Sequence, residues 1–398
     1  MDALIWFLWY LVQIAVVFQL VLPVLLWTLW LVFRKQHTLL SPGPNQIDYA
    51  VIVTAYEYTN TLAAAVESIL KADYQNYIVY IVADKCDTSS LVFNDKRILI
   101  LTPPEILGSN TASHNYAVSK FIRKHDRLTI IDSDNLVHPQ YFNELNLFSD
   151  ELAVQGVRAA KNLDTTIACL DAARDIYYHF YDGQILYQLG SSATLSGSGM
   201  AFEVEFYTTF LKNNNVAGAG FDKVLQNYIV SRGIRIAFSA GAVVYDEKTS
   251  RSDQLVNQRA RWINTWFKYF KFGFSMVYNG IIGLDRNQFL FGLILLRPPL
   301  FMFLIASVCF LLINIWIDPS MAIVWLIGLL LFVTGFFISL FYGKASDKIY
   351  RSLINIPYFV YHQVISLLKS KSANKHSVAT NHYHSQSIGT LKENNDEN

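Results

Sequence analysis

The chain has 398 residues, enough for one domain of the usual ~100–200 residues with accessory segments around it. A hydrophobic share of 53% against 16% charged residues, with a mean hydropathy of +0.26, is too apolar for an ordinary soluble enzyme, so part of the chain belongs in lipid. The 32 Lys and Arg against 31 Asp and Glu leave a net charge of +1 and no global field for nucleic acid. Cys86, Cys169 and Cys309 form no C-x-x-C pair, which argues against a zinc site and a disulfide framework and places the soluble part in a reducing compartment.

Ala3 to Phe33 is an uninterrupted uncharged run that ends at Arg34-Lys35, and a spanning helix needs only ~20 apolar residues. It exceeds the apolar core of a signal peptide and lacks a basic start and a small-residue cleavage site, so residues 1–35 are expected to form a retained transmembrane helix. A soluble domain is expected over residues 47–265. There, Tyr49–Thr54, Tyr77–Ala83, Arg97–Leu101 and Arg127–Ile131 read as strands, with helices over Leu62–Ala72 and Ala112–Lys124. This βαβ alternation predicts an α/β domain, a mostly parallel twisted sheet with helices on both faces.

Beyond it, residues 266–297 read as helices lying in the membrane interface, including Trp266 to Leu284 with its aromatics and Lys268 and Lys271. Residues 298–343 predict a transmembrane hairpin, with uncharged runs Pro298–Ile317 and Pro319–Gly343 broken at Asp318-Pro319. Residues 344–370 hold a second interfacial segment, Leu353–Leu368. Packing of either interfacial segment on the soluble domain is the alternative. Arg34, Lys35, Lys344, Lys348 and Arg351 flank the spans on one side and set it as cytoplasmic, with the amino terminus and the Asp318 turn outside. Residues 371–398 read as a disordered tail in which His376, His382 and His384 are solvated.

Ligands of such sheets bind at the carboxyl ends of the strands. There the sequence places Thr54-Ala-Tyr56-Glu57, Asp84-Lys-Cys-Asp87 and Asp132-Ser-Asp134-Asn135. Aspartates at i and i+2 can present oxygens to Mg²⁺ or Mn²⁺, which binds through one or two carboxylates plus substrate phosphates. Alone, such a triplet is also what any acidic turn yields. Gln258-Arg259-Ala-Arg261-Trp262 joins an amide, two guanidinium forks suited to phosphate and an aromatic plane suited to a sugar face. Its alternative is an amphipathic juxtamembrane helix with snorkelling Arg and an interfacial Trp.

Taken in order, these motifs resemble the membrane-integrated members of glycosyltransferase family two, which includes cellulose, chitin and hyaluronan synthases and uses the GT-A fold. The resemblance covers about Asp48 to Trp262. It implies that Thr54, Tyr56, Glu57 and Asp84 contact the nucleoside, that Asp132 contacts the nucleotide sugar, and that Asp134, with Asp132, holds Mg²⁺ or Mn²⁺. It implies further that Gln258, Arg259 and Arg261 serve the departing diphosphate and that Ser198, Gly199, Met200 and Trp262 meet the acceptor. Asp222 is then the base, with a helix cap as its other reading. Two departures stand out: Phe221 replaces an acidic partner of Asp222, and Gly108-Ser109-Asn110 stands where relatives carry Gly-Lys.

The expected activity is inverting transfer from a nucleoside-diphosphate sugar, most simply UDP-linked, to a glycan or lipid-linked acceptor. The expected setting is the cytoplasmic face of a multi-pass integral protein in a bacterial inner membrane. Spans without a polar stripe and without an intramembrane carboxylate or Lys give an exporter little to work with, and three of them cannot easily enclose a sugar-wide channel. One or a few additions are therefore expected, with Trp262 stacking the acceptor. A processive polysaccharide synthase acting as a homo-oligomer is the alternative within the class, and a membrane scaffold that has lost its chemistry the alternative outside it.

Overall fold

The computed structural model describes residues 2–34, 46–214, 216, 218–373 and 388. The expected disordered tail with its histidines, Lys35, and parts of the Asn213–Gly220 loop lie outside the described residues.

Among the described residues eight strands form one sheet: β1 (Tyr49–Tyr56), β2 (Tyr77–Asp84), β3 (Ile98–Leu101), β4 (Arg127–Asp132), β5 (Leu136–Val137), β6 (Ala153–Ala160), β7 (Met200–Glu203) and β8 (Ile236–Asp246). Their order is β3-β2-β1-β4-β7-β6-β8-β5. The first half is parallel throughout, as the sequence predicts, and β1 and β2 are Val/Ile-rich runs buried on both faces. The second half departs from the expected pattern: β7 runs antiparallel to both β4 and β6, and β5 antiparallel to β8. Parallel pairing returns only between β6 and β8. Helix Asn110–Ser119 starts earlier than expected because the Ser109 hydroxyl accepts from the Ala112 amide and caps it, and it also ends earlier, at the Lys120 cap.

Among the described residues, three helices are long and apolar enough to cross a membrane: Ala3–Phe33, Leu300–Ile317 and Pro319–Tyr342. They pack together, and the Asp318 carboxylate accepts from the Ser320 and Met321 amides at the start of the last one, as Pro319 at its first turn allows. The bundle is less uniform than its composition predicts. Gln13 is fully buried and its Oε1 accepts from Trp325 Nε1 at 2.7 Å and Asn314 Nδ2 at 2.6 Å. Gln13 Nε2 and Asn314 Oδ1 in the same cluster are buried without a partner.

Helix Thr166–Tyr178 runs through a π-helical turn, His179–Ile185, and joins the two halves of the molecule. Tyr177, Phe180 and Tyr181 pack with Trp30 and Phe332 of the bundle, and the Tyr181 hydroxyl donates to the Gly335 carbonyl at 2.8 Å. The expected interfacial segment from Trp266 resolves into the end of helix Ser252–Tyr269 and a hairpin of helices Phe272–Ile282 and Arg286–Leu296. Met276 and Phe291 of that hairpin belong to the domain core, while Phe274, Tyr278, Ile281 and Ile282 remain exposed. Packing on the domain, the alternative reading of this segment, is what one face of the hairpin shows. Helix Ile356–Lys369 likewise buries Phe359 against Ile167, Leu170 and Leu255, and Pro357 sits in its first turn instead of breaking it.

Replacing Gln13 by Leu should strand the Trp325 Nε1 donor among apolar neighbours and leave Asn314 Nδ2 only the Phe310 carbonyl, at about 1–2 kcal/mol. Thermal unfolding in detergent should show the loss, with nucleotide binding by the folded fraction unchanged.

Candidate active site

The sheet register assembles one edge of the site. Tyr56 lies opposite Asp84 and Thr54 opposite Asp132, so the ends of β1, β2 and β4 open side by side. The next residues, Glu57 and Lys85, both adopt left-handed backbone, φ 65° and 57°, and their side chains pair at 2.7 Å. Adjacent non-glycine residues held in that region concentrate strain where a ligand is expected. Asp84 is buried, and its two carboxylate oxygens accept from the Leu107 and Gly108 amides at 3.0 and 2.8 Å. Its direct role here is to fix the turn beside the Ser109 cap, with the second lone pair of each oxygen left for a ligand.

The Asp132–Asn135 loop is held from below. Ser198 Oγ accepts from the Asp132 amide at 3.0 Å and donates to Asn135 Oδ1 at 2.6 Å, and Asn135 Nδ2 donates to Asp246 at 3.2 Å. The buried Lys161 ammonium donates to the Asp134 carbonyl at 3.2 Å, and burial lowers its pKa. Ser198 and Met200 are fully buried, and Gly199, at φ +66, already lies so that a Cβ would come 3.0 Å from Val244. Of these three expected acceptor residues, Ser198 braces the aspartate loop, while Gly199 and Met200 bond to the strands beside it. The loop face that opens onto a cavity is Thr194–Gly197.

That cavity, about 870 Å³, lies between the sheet edge and the long apolar helices. Asp222, 17% exposed, stands at its rim in the first turn of helix Phe221–Val230, with Lys223 Nζ at 3.2 Å. Lys223 also donates to the Leu195 carbonyl at 3.1 Å, which ties this carboxylate to the acceptor-side loop. Phe221 is buried edge-on against His114, at 5.2 Å between ring centroids. His114 meets the Tyr207 hydroxyl at 2.8 Å, and burial pushes its pKa down to about 3. An acidic side chain at position 221 would have to be buried there, so the departure from the family pattern matches its surroundings.

Helix Ser252–Tyr269 divides its motif between two faces. Gln258 accepts from the Thr249 hydroxyl at 3.2 Å, and Arg261 shares that side three residues on. Arg259 and Trp262 line the cavity instead. Arg259, expected on the diphosphate beside Arg261, is ion-paired with Asp171, and its guanidinium lies 4.2 Å from the Trp262 ring centroid. Arg174 lies 4.5 Å from the same centroid. Trp262, 38% exposed, is thus already engaged by two cations before any acceptor arrives.

Sequence reasoning missed the network behind this wall. Lys248, 1% exposed in its side chain, bridges Asp246 at 2.8 Å and Asp175 at 2.6 Å. Arg158 binds Asp246 at 2.7 Å and the Ser196 carbonyl at 2.6 Å, while Arg174 pairs with both Asp171 and Asp175. Burial alone would raise Asp246, but Arg158 and Lys248 hold its carboxyl below the usual carboxylate range. Asp175 is held low in the same way by Arg174 and Lys248 against its own burial. The one signal in the sequence was Asp171-x-x-Arg174-Asp175, charges at helical spacing in an otherwise buried helix.

Gly220 precedes Asp222 at φ +97, and a Cβ there would lie 2.6 Å from the Tyr269 ring. Gly220→Ala should therefore cost about 1–3 kcal/mol of strain and displace Asp222. Turnover should fall by about tenfold or more while nucleotide affinity, measured by calorimetry, stays within about twofold, because the donor loops are on other elements.

Residues 44–265 match the family described as "Glycosyltransferase like family 2". No curated protein matches the chain. Among solved structures, a mannosyltransferase, PcManGT from Pyrobaculum calidifontis in complex with GDP-Man and Mn²⁺, is similar with a TM-score of 0.52. It is 13% identical over 90% of this chain and 97% of that one. S. aureus TarS 1–349 in complex with UDP-GlcNAc is 13% identical over 82% of this chain and 90% of that one, with a TM-score of 0.40. With more than half of its length matched and its soluble part folded as a GT-A-like α/β domain, the chain belongs to glycosyltransferase like family 2.

Proposed function

We propose that this protein transfers a sugar, with inversion, from a nucleoside-diphosphate sugar to a lipid-linked acceptor at the cytoplasmic face of a membrane. The observation that carries the reading is the position of Asp222 at the rim of a cavity walled beyond it by Leu329, Phe332, Val333 and Phe336 of helix Pro319–Tyr342. A polymer channel needs polar walls, whereas an apolar wall on a candidate spanning helix suits a lipid tail. A UDP-linked donor is the working choice, and the GDP-Man of the mannosyltransferase neighbour keeps the base open to test. Basic residues Arg34, Lys344, Lys348 and Arg351 at the span ends support the cytoplasmic assignment.

In this reading Thr54, Tyr56, Glu57 and Asp84 border the nucleoside, Asp132 the donor phosphates and ribose, and Arg261, with Gln258 beside it, the departing diphosphate. Asp132 and Asp134 fit a hard divalent cation. They are two carboxylates on a braced loop, and no group of three or more potential ligands surrounds a metal among the described residues, so substrate phosphates and water complete the shell. When bound, Mg²⁺ or Mn²⁺ supplies positive charge to the diphosphate. The acceptor hydroxyl attacks the anomeric carbon as the bond from that carbon to the diphosphate oxygen breaks, and its proton passes to Asp222. Ser198 and Asn135 keep the aspartate loop in place, and Lys223 holds Asp222 toward the Leu195 loop.

Asp222→Asn keeps the shape but cannot accept the proton. It should lower transfer by about 10²–10⁴-fold with nucleotide binding intact, and transfer above about a tenth of wild type would remove Asp222 from this role. Chelation with excess EDTA should silence the enzyme, and Asp134→Ala should abolish metal-dependent nucleotide binding measured by calorimetry. Full activity in EDTA would overturn the metal assignment.

A further inference from the structure

Beneath the aspartate pair Asp132 and Asp134 sits a charge that sugar transfer as described leaves unused. Lys161 directly follows β6 and is 3% exposed, and its ammonium donates to the Asp134 carbonyl at 3.2 Å. Its own amide donates to the Asp246 carbonyl at 2.8 Å, which fixes the residue against the end of β8. The carboxylates of Asp134, Glu247 and Asp246 all act on this ammonium. Arg158, bonded to Asp246 and to the Ser196 carbonyl, is acted on by Asp132 as well. Each aspartate of the pair thus has a cation of the protein in its field before any metal arrives. A neutral amide would bond the Asp134 carbonyl at far smaller desolvation cost than a buried ammonium, so the hydrogen bond alone does not account for a lysine here.

The charge decides what enters. At an effective dielectric constant of ~20, a unit positive charge several ångströms from a divalent cation opposes its binding by about tenfold or more. The same charge favours a diphosphate, and for a metal–diphosphate complex the two effects largely offset. We propose that Lys161 keeps the Asp132–Asp134 site closed to the free metal ion, so that Mg²⁺ or Mn²⁺ enters and leaves with the nucleotide, as a co-substrate and not a resident cofactor. This rests on the metal reading of the two aspartates given above and adds the order in which their ligands bind. Ser198 and Asn135 brace the loop, whereas Lys161 sets which charge the loop accepts.

The test uses the full-length protein in detergent, with Mn²⁺, UDP and GDP as probes and calorimetry as the readout. Mn²⁺ alone should bind the wild-type protein at least about tenfold more weakly than it binds in the presence of the preferred nucleotide. Lys161→Met and Lys161→Gln, which remove the charge without and with a donor for the Asp134 carbonyl, should behave alike. Both should tighten Mn²⁺ alone by about tenfold or more, weaken metal-free nucleotide, and leave binding of the Mn²⁺–nucleotide complex nearly unchanged. A brace would give a different pattern: Lys161→Met would weaken Mn²⁺ and Lys161→Gln would not, and that result would overturn the proposal. Unchanged Mn²⁺ affinity in both neutral variants would overturn it too. So would wild-type protein that binds Mn²⁺ equally well with and without nucleotide, a measurement that needs no variant to fold. Those outcomes leave the metal in the proposed function. Failure of the wild type to bind Mn²⁺ even with saturating nucleotide would remove the metal reading itself, and this inference with it.

Discussion

A continuous line of buried hydrogen bonds and ion pairs runs from the Asp132 amide through Ser198, Asn135 and Asp246 to Lys248, Asp175, Arg174, Asp171 and Arg259, ending under Trp262. Burial makes each link obligatory, because removing one partner of a buried ion pair leaves an uncompensated charge at a cost of about 3–5 kcal/mol. The donor edge and the cavity wall, built on β4, β6, β8 and two helices, therefore hold one geometry. The arrangement also explains why charged residues sit in helix Thr166–Tyr178, whose other residues are packed against protein on several sides. Their value lies in orientation more than in stability, since well-packed apolar groups would stabilise the same positions as well or better.

The first half of the domain was legible because parallel strands buried on both faces must be continuous apolar runs, and their polar ends announce the site. The second half was not. β6 carries Gln155, Gly156 and Arg158 because its residues serve the Ser196 loop and Asp246, and a strand that faces a cavity lacks the plain hydrophobic pattern. β7 has four residues, too few for any periodicity. The glycine-rich loop was located but its facing was not: whether Ser196 or Ser198 opens to the cavity depends on the pairing of β7 with β4 and β6, a tertiary fact. The arginine-aspartate network was invisible for the same reason, since Arg158, Asp171, Asp246 and Arg259 become neighbours only after the sheet and helices have packed.

The two departures from the family pattern become intelligible as packing. Phe221 fills a buried site against the neutral His114 ring, where an ionised carboxylate would be strongly disfavoured. Ser109 ends the loop that Asp84 clamps and caps the following helix, a task that lysine cannot perform.

The hydrogen bond from Tyr181 to the Gly335 carbonyl, together with the packing of Tyr177 and Phe180 on Trp30 and Phe332, ties the glycosyltransferase domain directly to the helix bundle. In the proposed reading the reaction centre stands at one height above the plane of the lipid tail, so a tethered acceptor would present its hydroxyl there only with a headgroup of one length, and the scaffold would size the product as a ruler does.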